Sequence, residues 1–260
     1  MRLRRFAAAL FWVAAPLLAG CFQTSTLVKL KPDGSGTIEL TTTVSSEGFK
    51  RLHDPGDSDD PFSISDARTA AAGMGTGVTF VSAARIDTPD RKGIKAVYVF
   101  KDIGTVSIGA LNPPEGFEIM DKGDALVHFA FTRLANGHAL LTIENPVDVP
   151  ADVEALKSAA GTEPPEAGID DKQVLDRMAV MLGGAKVDFA IEVAHLVKTN
   201  IPYVNGGRVT VLSLDTDQMA ADPASVEKLR KAYSVGPKAV QDAKGIRISG
   251  DPKLTIEFRK

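Results

Sequence analysis

Thr26-Leu-Val-Lys-Leu-Lys-Pro-Asp-Gly-Ser-Gly-Thr-Ile-Glu-Leu-Thr-Thr-Thr-Val44 is the stretch that decides the fold. Two strand-like runs flank the turn from Pro32 to Gly36, where proline fixes φ and glycine can adopt a positive φ. In the second run every other residue is apolar or β-branched: Ile38, Leu40, Thr42 and Val44. Because alternate residues of a strand share one face, the stretch predicts a β-hairpin with one buried side.

The same alternation along the chain predicts further strands. They are Val78–Ile86, Ile94–Phe100, Phe117–Asp121, Leu126–Leu134, Ala139–Glu144, Val187–Val193, Arg208–Leu214, and a closing hairpin made by Ile246–Ile248 and Leu254–Phe258. Asn136-Gly137 is typical of a two-residue hairpin turn, which would pair Ala135 with His138. Hairpins therefore dominate the expected fold.

Helical patterns appear between the strands. They lie at Ser63 to Ala72, near Asp152 to Ala160, at Asp170 to Leu182 and after Asp222-Pro223. Strands and helices do not alternate regularly, as they would in a parallel sheet. The sequence therefore predicts an α+β fold, in which antiparallel sheets are covered on one side by three or four helices.

The Pro- and Glu-rich segment 146–169 is the best candidate for a boundary. It separates a β-rich part, 21–145, from an α+β part, 170–260. The segment is either a linker between two domains or a long excursion from one sheet.

The first 20 residues have the pattern of an export signal. Three arginines precede a charge-free run from Phe6 to Ala19, which is shorter than the roughly 20 apolar residues needed to span a bilayer. Leu18-Ala19-Gly20-Cys21 resembles the lipobox of bacterial lipoproteins. The resemblance implies that residues 1–20 are removed and that Cys21 is lipidated and anchors the chain to the envelope. The alternative is an ordinary secretory signal followed by a cysteine.

Two further expectations follow from this resemblance. Phe22 stands where an aspartate is associated with retention in the inner membrane, so we predict the periplasmic leaflet of the outer membrane. The hairpin with the turn 32–36, just after the cysteine, resembles LppM-like exported lipoproteins. That resemblance implies lipid or glycolipid binding and transfers no site residues.

Charge and composition make some classes of binding partner less favourable than others. Without the three arginines of the signal, 27 basic residues face 33 acidic ones, which disfavours nucleic acid. The segment 222–260 is the exception, with nine Lys or Arg against five Asp or Glu. There are two interpretations of these basic residues. Either they lie on a solvated helix and hairpin, or they contact the headgroups of anionic lipids. The mature chain has no tryptophan, and so offers few stacking platforms for sugars.

Residues with catalytic or metal-binding potential are scattered. The chain has no Gly-x-Ser-x-Gly motif, and its single cysteine is Cys21. The histidines, at 53, 128, 138 and 195, are dispersed, and His195 reads as a structural residue on an apolar strand face. Asp57, Asp59 and Asp60 make an incomplete calcium loop. Asp188 and Glu192 are too far apart for a glycosidase pair. We therefore expect no cofactor and no metal.

Two functions remain. The first is a non-catalytic envelope lipoprotein that binds a lipid, a glycolipid or a partner protein. The second is an envelope hydrolase with a carboxylate-based site. Because the sequence lacks the Ser, Cys and His arrangements that are typical of catalytic sites, we favour the non-catalytic lipoprotein. We expect Phe189 to be buried against the helix 170–182, with any apolar groove beside that contact.

Overall fold

The structure is a computed structural model that describes residues 22–52, 60–109, 126–144, 184–225, 227–228 and 237–260. The strand expected at Phe117–Asp121, the segment 146–169 and the helices expected near 152–160 and at Asp170–Leu182 lie outside these residues, as does Cys21. The strands are β1 Phe22–Leu30, β2 Gly36–Ser45, β3 Thr79–Asp87, β4 Arg91–Phe100, β5 Ser107–Gly109, β6 Leu126–Arg133, β7 Ala139–Glu144, β8 Lys186–Val193, β9 His195–Thr199, β10 Val204–Asn205, β11 Arg208–Asp215, β12 Ile246–Ile248 and β13 Lys253–Arg259. The helices are α1 Ser46–Leu52, α2 Ile64–Gly73 and α3 Thr216–Ala220, with 3-10 turns at Ile103–Thr105 and Pro237–Val240.

The strands form two sheets. The large sheet has the order β10-β11-β8-β1-β2-β4-β3, with β12 also beside β11, and the small sheet has the order β5-β6-β7-β13-β9. β1 and β8 are parallel neighbours, whereas the other recorded pairs are antiparallel. Each sheet therefore combines strands that precede and follow the segment 146–169.

The hairpin predicted over residues 26–44 is confirmed and is longer than expected. β1 pairs with β2 from Phe22 opposite Val44 to Leu30 opposite Gly36. Within the turn, Lys31 N donates to Ser35 O at 2.9 Å, and Gly34 has a φ of +90°. That conformation favours glycine because it has no Cβ.

The predicted α+β class is wrong, because the fold is mostly β. Helices α1, α2 and α3 have only 7, 10 and 5 residues, and the helix predicted after Asp222-Pro223 is described only at residues 223–225 and 227–228. The small sheet, rather than a layer of helices, supplies much of the cover: its inward residues share one buried core with those of the large sheet. Phe129 of β6 and Phe189 of β8 meet across this core with ring centroids 6.5 Å apart. Alternation shows which face of a strand is buried but not what covers it.

Two turns differ from the sequence expectation. Leu134, not Ala135, faces His138, since Leu134 N donates to His138 O at 2.8 Å. The loop therefore has three residues and ends at Gly137, whose φ is +80°, a recognised alternative to the two-residue turn. The predicted closing hairpin is also wrong, because β12 pairs with β11 in the large sheet while β13 pairs with β7 and β9 in the small one.

Candidate functional site

The N-terminal end of β1 lies immediately after Cys21. Phe22, the next residue, is already paired with Val44 and buried. It packs with Val44 and Phe62 in a small apolar cluster, against which Phe49 and Ile94 also pack. The first described strand therefore starts at the residue that directly follows Cys21 in the sequence. We call this end of the large sheet the β1 end.

An ion pair between Lys186 and Asp215 lies at the β1 end. β8 starts beside β1 at this end, and Lys186 Nζ lies 2.9 Å from Asp215 Oδ2. The hydrogen bond and charge of Asp215 raise the pKa of Lys186. Burial acts to raise the pKa of Asp215, but hydrogen bonds from Lys186 and Gln218 leave that pKa lowered.

Three buried threonines interrupt the inner, core-facing side of the large sheet. Thr24, Thr26 and Thr42 are 4%, 2% and 7% exposed, and Thr24 and Thr42 are direct partners in the β1–β2 register. Their face is otherwise built from residues such as Val28 and Ile38. We call these three residues the threonine patch.

Thr24 in this patch has an unsatisfied hydroxyl. Its Oγ1 is buried and, like Ser107 Oγ and Tyr203 Oη, has no hydrogen-bond partner among the residues that the structure describes. A buried polar group left without a partner costs about 1–3 kcal/mol, so such groups are uncommon and call for an explanation. A ligand atom that hydrogen-bonds to Oγ1 would remove this cost.

Apolar side chains surround the threonine patch. Phe189 is the neighbour of Thr26 across the β1–β8 register and is 1% exposed. Partly buried side chains from three separate apolar clusters stand on the same face: Leu40, Ala83, Ile94, Leu212 and Leu214. The predicted burial of Phe189 is confirmed, whereas its expected partner helix lies outside the described residues.

The opposite, outer face of the large sheet carries ion pairs. Glu39 lies between Lys29 and Lys95, with N–O distances of 2.5 and 2.9 Å. Hydrogen bonds from Lys29 and then Lys95 lower the pKa of Glu39, and the hydrogen bond to Glu39 raises the pKa of Lys29. Asp188, one of the carboxylates considered for glycosidase chemistry, lies 2.6 Å from Arg208 Nη2. It is therefore paired with a cation.

The described histidines differ in their exposure and in their contacts. His53 lies outside the described residues, and His128 is exposed. His138 Nδ1 lies 2.7 Å from Glu257 Oε1, and this hydrogen bond is the main reason that the pKa of Glu257 is lowered. The expectation that His195 is a structural residue on an apolar face is wrong. β8 ends at Val193, and a bend at Ala194 separates it from the next strand. His195 therefore does not continue the buried face of β8, and it is exposed.

Within the described ranges, no group of three His, Cys, Asp or Glu side chains could hold a metal ion. Sequence reasoning also missed two residues of the threonine patch. Thr42 was placed on the buried face, but Thr24 and Thr26 were not recognised as inward residues. The signal was their spacing: from Phe22 to Leu30 every other residue is buried, and two of these five positions are polar.

Together these features define a two-sheet, mainly antiparallel β protein with a polar patch in its core. No known protein family matches the sequence, and no curated protein matches it. Among solved structures, the chain is similar to the folded domain of the Mycobacterium tuberculosis LppM protein, determined by NMR. The two share 11% sequence identity over 93% of this chain and 91% of that one, with a TM-score of 0.35. Within the described residues, no helix is long and apolar enough to cross a membrane.

Proposed function

We propose that the chain is a lipid-anchored lipoprotein of the bacterial cell envelope that works as a non-catalytic binding module. The observation that carries the proposal is the direct succession of the lipobox at 18–21 and strand β1, which bears a buried, unpartnered hydroxyl at Thr24. Thr24 is three residues from Cys21, or about 10 Å at roughly 3.3 Å per residue. The threonine patch would therefore lie close to the anchoring membrane.

The chemistry of the threonine patch favours an amphiphilic ligand. Its surroundings are apolar, which suits an acyl chain, and Thr24 Oγ1 supplies a single point for a hydrogen bond. A lipid or glycolipid carries both groups in one molecule. Burial of its apolar chain would contribute about 25 cal/mol per Å² of surface removed from water.

The carboxylates support a non-catalytic role. A glycosidase needs two carboxyl groups about 5–10 Å apart across one cleft. Glu39, Asp188, Asp215 and Glu257 each contact a basic side chain instead. No observation favours the hydrolase alternative.

Anchoring is tested with Cys21→Ser in the native host. Metabolic labelling with an alkyne fatty acid should label the wild-type chain and a Ser25→Ala control on the outer face of β1. The Cys21→Ser variant should be unlabelled, because the acceptor thiol is gone. The labelled protein should fractionate with the outer membrane. Labelling of Cys21→Ser at the wild-type level would contradict anchoring through this residue.

Ligand binding is tested separately by native mass spectrometry of the protein extracted from its own membranes. We expect a co-purifying lipid on the wild-type chain. Occupancy should fall for Thr24→Val and stay unchanged for Thr37→Val, a control on the outer face of β2. Equal occupancy in both variants would mean that the lipid binds elsewhere.

A further inference from the structure

The chain has two Asn-Gly dipeptides, and their surroundings differ. Asn136-Gly137 lies in the loop between β6 and β7, whereas Asn205 is the last residue of β10 and Gly206 begins the loop to β11. All four residues are exposed. Exposure therefore does not distinguish the two dipeptides, but hydrogen bonding does.

An asparagine that precedes glycine can lose its side-chain amide without an enzyme. After hydroxide has removed a proton from the glycine nitrogen, this nitrogen attacks Cγ of the asparagine and forms a five-membered succinimide ring. The bond between Cγ and Nδ2 breaks, and the leaving nitrogen takes a proton from water and departs as ammonia. Water then opens the ring at either carbonyl, which leaves aspartate or isoaspartate. Glycine favours the reaction because it has no Cβ to obstruct the attacking nitrogen, and asparagine is a thermolabile residue for this reason.

Asn136-Gly137 is held by hydrogen bonds at the atoms that this reaction needs. Gly137 N, the attacking atom, donates to Leu134 O at 3.0 Å. Oδ1 of Asn136 accepts from His138 N at 3.0 Å, and Nδ2 of Asn136 lies 3.2 Å from His138 Nδ1. These bonds fix the side-chain amide and occupy the glycine nitrogen, so they must break before the ring can close.

Asn205-Gly206 lacks such bonds. Among the residues that the structure describes, neither Gly206 N nor the side-chain amide of Asn205 has a hydrogen-bond partner. Gly206 has a φ of +59°, and beyond its chain neighbours no heavy atom lies within 4 Å of the place where a Cβ would stand. β10 has only two residues and is the end strand of the large sheet. Such a segment opens locally at little cost in free energy.

The other three asparagines of the sequence are poorly suited to the reaction. Asn112 and Asn145 precede proline, whose nitrogen has no proton to lose. Asn200 precedes a branched isoleucine, and its side chain donates to Lys253 O at 2.9 Å and accepts from Thr255 N at 2.8 Å. Sequence and hydrogen bonding together therefore single out one site.

We propose that Asn205 is a site of spontaneous deamidation and that Asn136 is protected in the folded protein. The aspartyl product places a new carboxylate opposite Arg208, the partner of Asn205 in the β10–β11 register. Arg208 already contacts Asp188 at 2.6 Å, so the new carboxylate shares this cation. The isoaspartyl product instead inserts the Cβ atom into the main chain and lengthens the turn. Neither the threonine patch nor the proposed anchoring enters this argument.

The test follows both dipeptides in one sample of the full-length protein, kept folded in an uncharged detergent at mildly alkaline pH. Aliquots are digested in heavy-oxygen water, which marks any deamidation that occurs during digestion, and peptide mass spectrometry measures the deamidated fraction at each asparagine. Asn205 should react at least about tenfold faster than Asn136, because the hydrogen bonds around Asn136 must break first. In protein unfolded by urea the two rates should become similar, since the dipeptides are the same.

Asn205→Gln is the matched variant, because its longer side chain cannot close a five-membered ring. Asn205 is exposed, so the variant should keep the wild-type melting temperature, and the acidic form that accumulates in wild type should be absent from its ion-exchange profile. Equal rates at the two asparagines of the folded protein would overturn the proposal, and so would an Asn205 that reacts only after unfolding. An acidic form that accumulates unchanged in Asn205→Gln would place the modification elsewhere in the chain and overturn it as well.

Discussion

Replacing Thr24 by valine should stabilise the protein when no ligand is bound. Valine has the same branched shape as threonine and fits a strand equally well. The substitution removes a hydroxyl that is buried in a residue only 4% exposed and that has no hydrogen-bond partner in the described part of the chain. Leaving such a group unsatisfied costs about 1–3 kcal/mol, so Thr24→Val should raise the free energy of unfolding by at least about 1 kcal/mol.

The measurement is urea denaturation of delipidated protein, followed by circular dichroism. A gain of about 1 kcal/mol should raise the midpoint without changing the slope, and it should raise Tm by roughly 2–4 °C in a chain of this size. Thr216→Val is the control. Thr216 is equally buried, but its Oγ1 donates to Ala185 O at 3.0 Å, so its loss should cost about 1 kcal/mol.

The urea midpoint should therefore rise in Thr24→Val and fall in Thr216→Val. If Thr24→Val lowers the urea midpoint as Thr216→Val does, the Thr24 hydroxyl is satisfied in the folded protein. A ligand at the threonine patch would then not be needed to satisfy Thr24. A stabilised Thr24→Val that also loses its co-purifying lipid would show that the unsatisfied hydroxyl is retained for binding at a cost in stability.

Two further predictions concern stability. Phe189→Ala should lower the free energy of unfolding by about 3–5 kcal/mol, because Phe189 is 1% exposed and packs against Phe129; an unchanged urea midpoint would show that the two sheets do not meet there. Glu39→Gln should be less stable than wild type at neutral pH by about 0.5 kcal/mol, and the difference should shrink as the pH falls below 4.5. The sign follows from the lowered pKa of Glu39, whose ordinary value is 4.5: the ionised carboxylate stabilises the fold above that pH, and protonation removes the effect. If the free energy of unfolding falls equally in wild type and in Glu39→Gln as the pH drops below 4.5, the prediction for Glu39 is contradicted.

Local structure could be predicted from the sequence. The turn at 32–36, the helix capped by Ser63 and the strand Ala139–Glu144 follow from proline, glycine, capping and alternation, which act over a few residues. Partner choice could not be predicted in this way. β12 and β13 have the alternation of a hairpin, yet they join different sheets.

The candidate site was less accessible to sequence reasoning than the strands. A threonine in a strand is found on polar outer faces as well as in cores, so only its alternation with Phe22, Val28 and Leu30 indicated that Thr24 faces inward. Its neighbour across one edge of β1 is Val187 of β8, which is more than 150 residues away in the chain and pairs in parallel with β1.

The central position of β1 sets an order of events in biogenesis. β1 lies between β2, which follows it directly, and β8, whose residues 186–193 are synthesised much later. Contacts between distant segments form late because a long loop must close first. Until β8 arrives, one edge of β1 is unpaired and the large sheet is incomplete at the strand that follows Cys21 in the sequence. The enzymes that would attach the lipid and remove the signal therefore have a time window before the sheet closes beside their substrate.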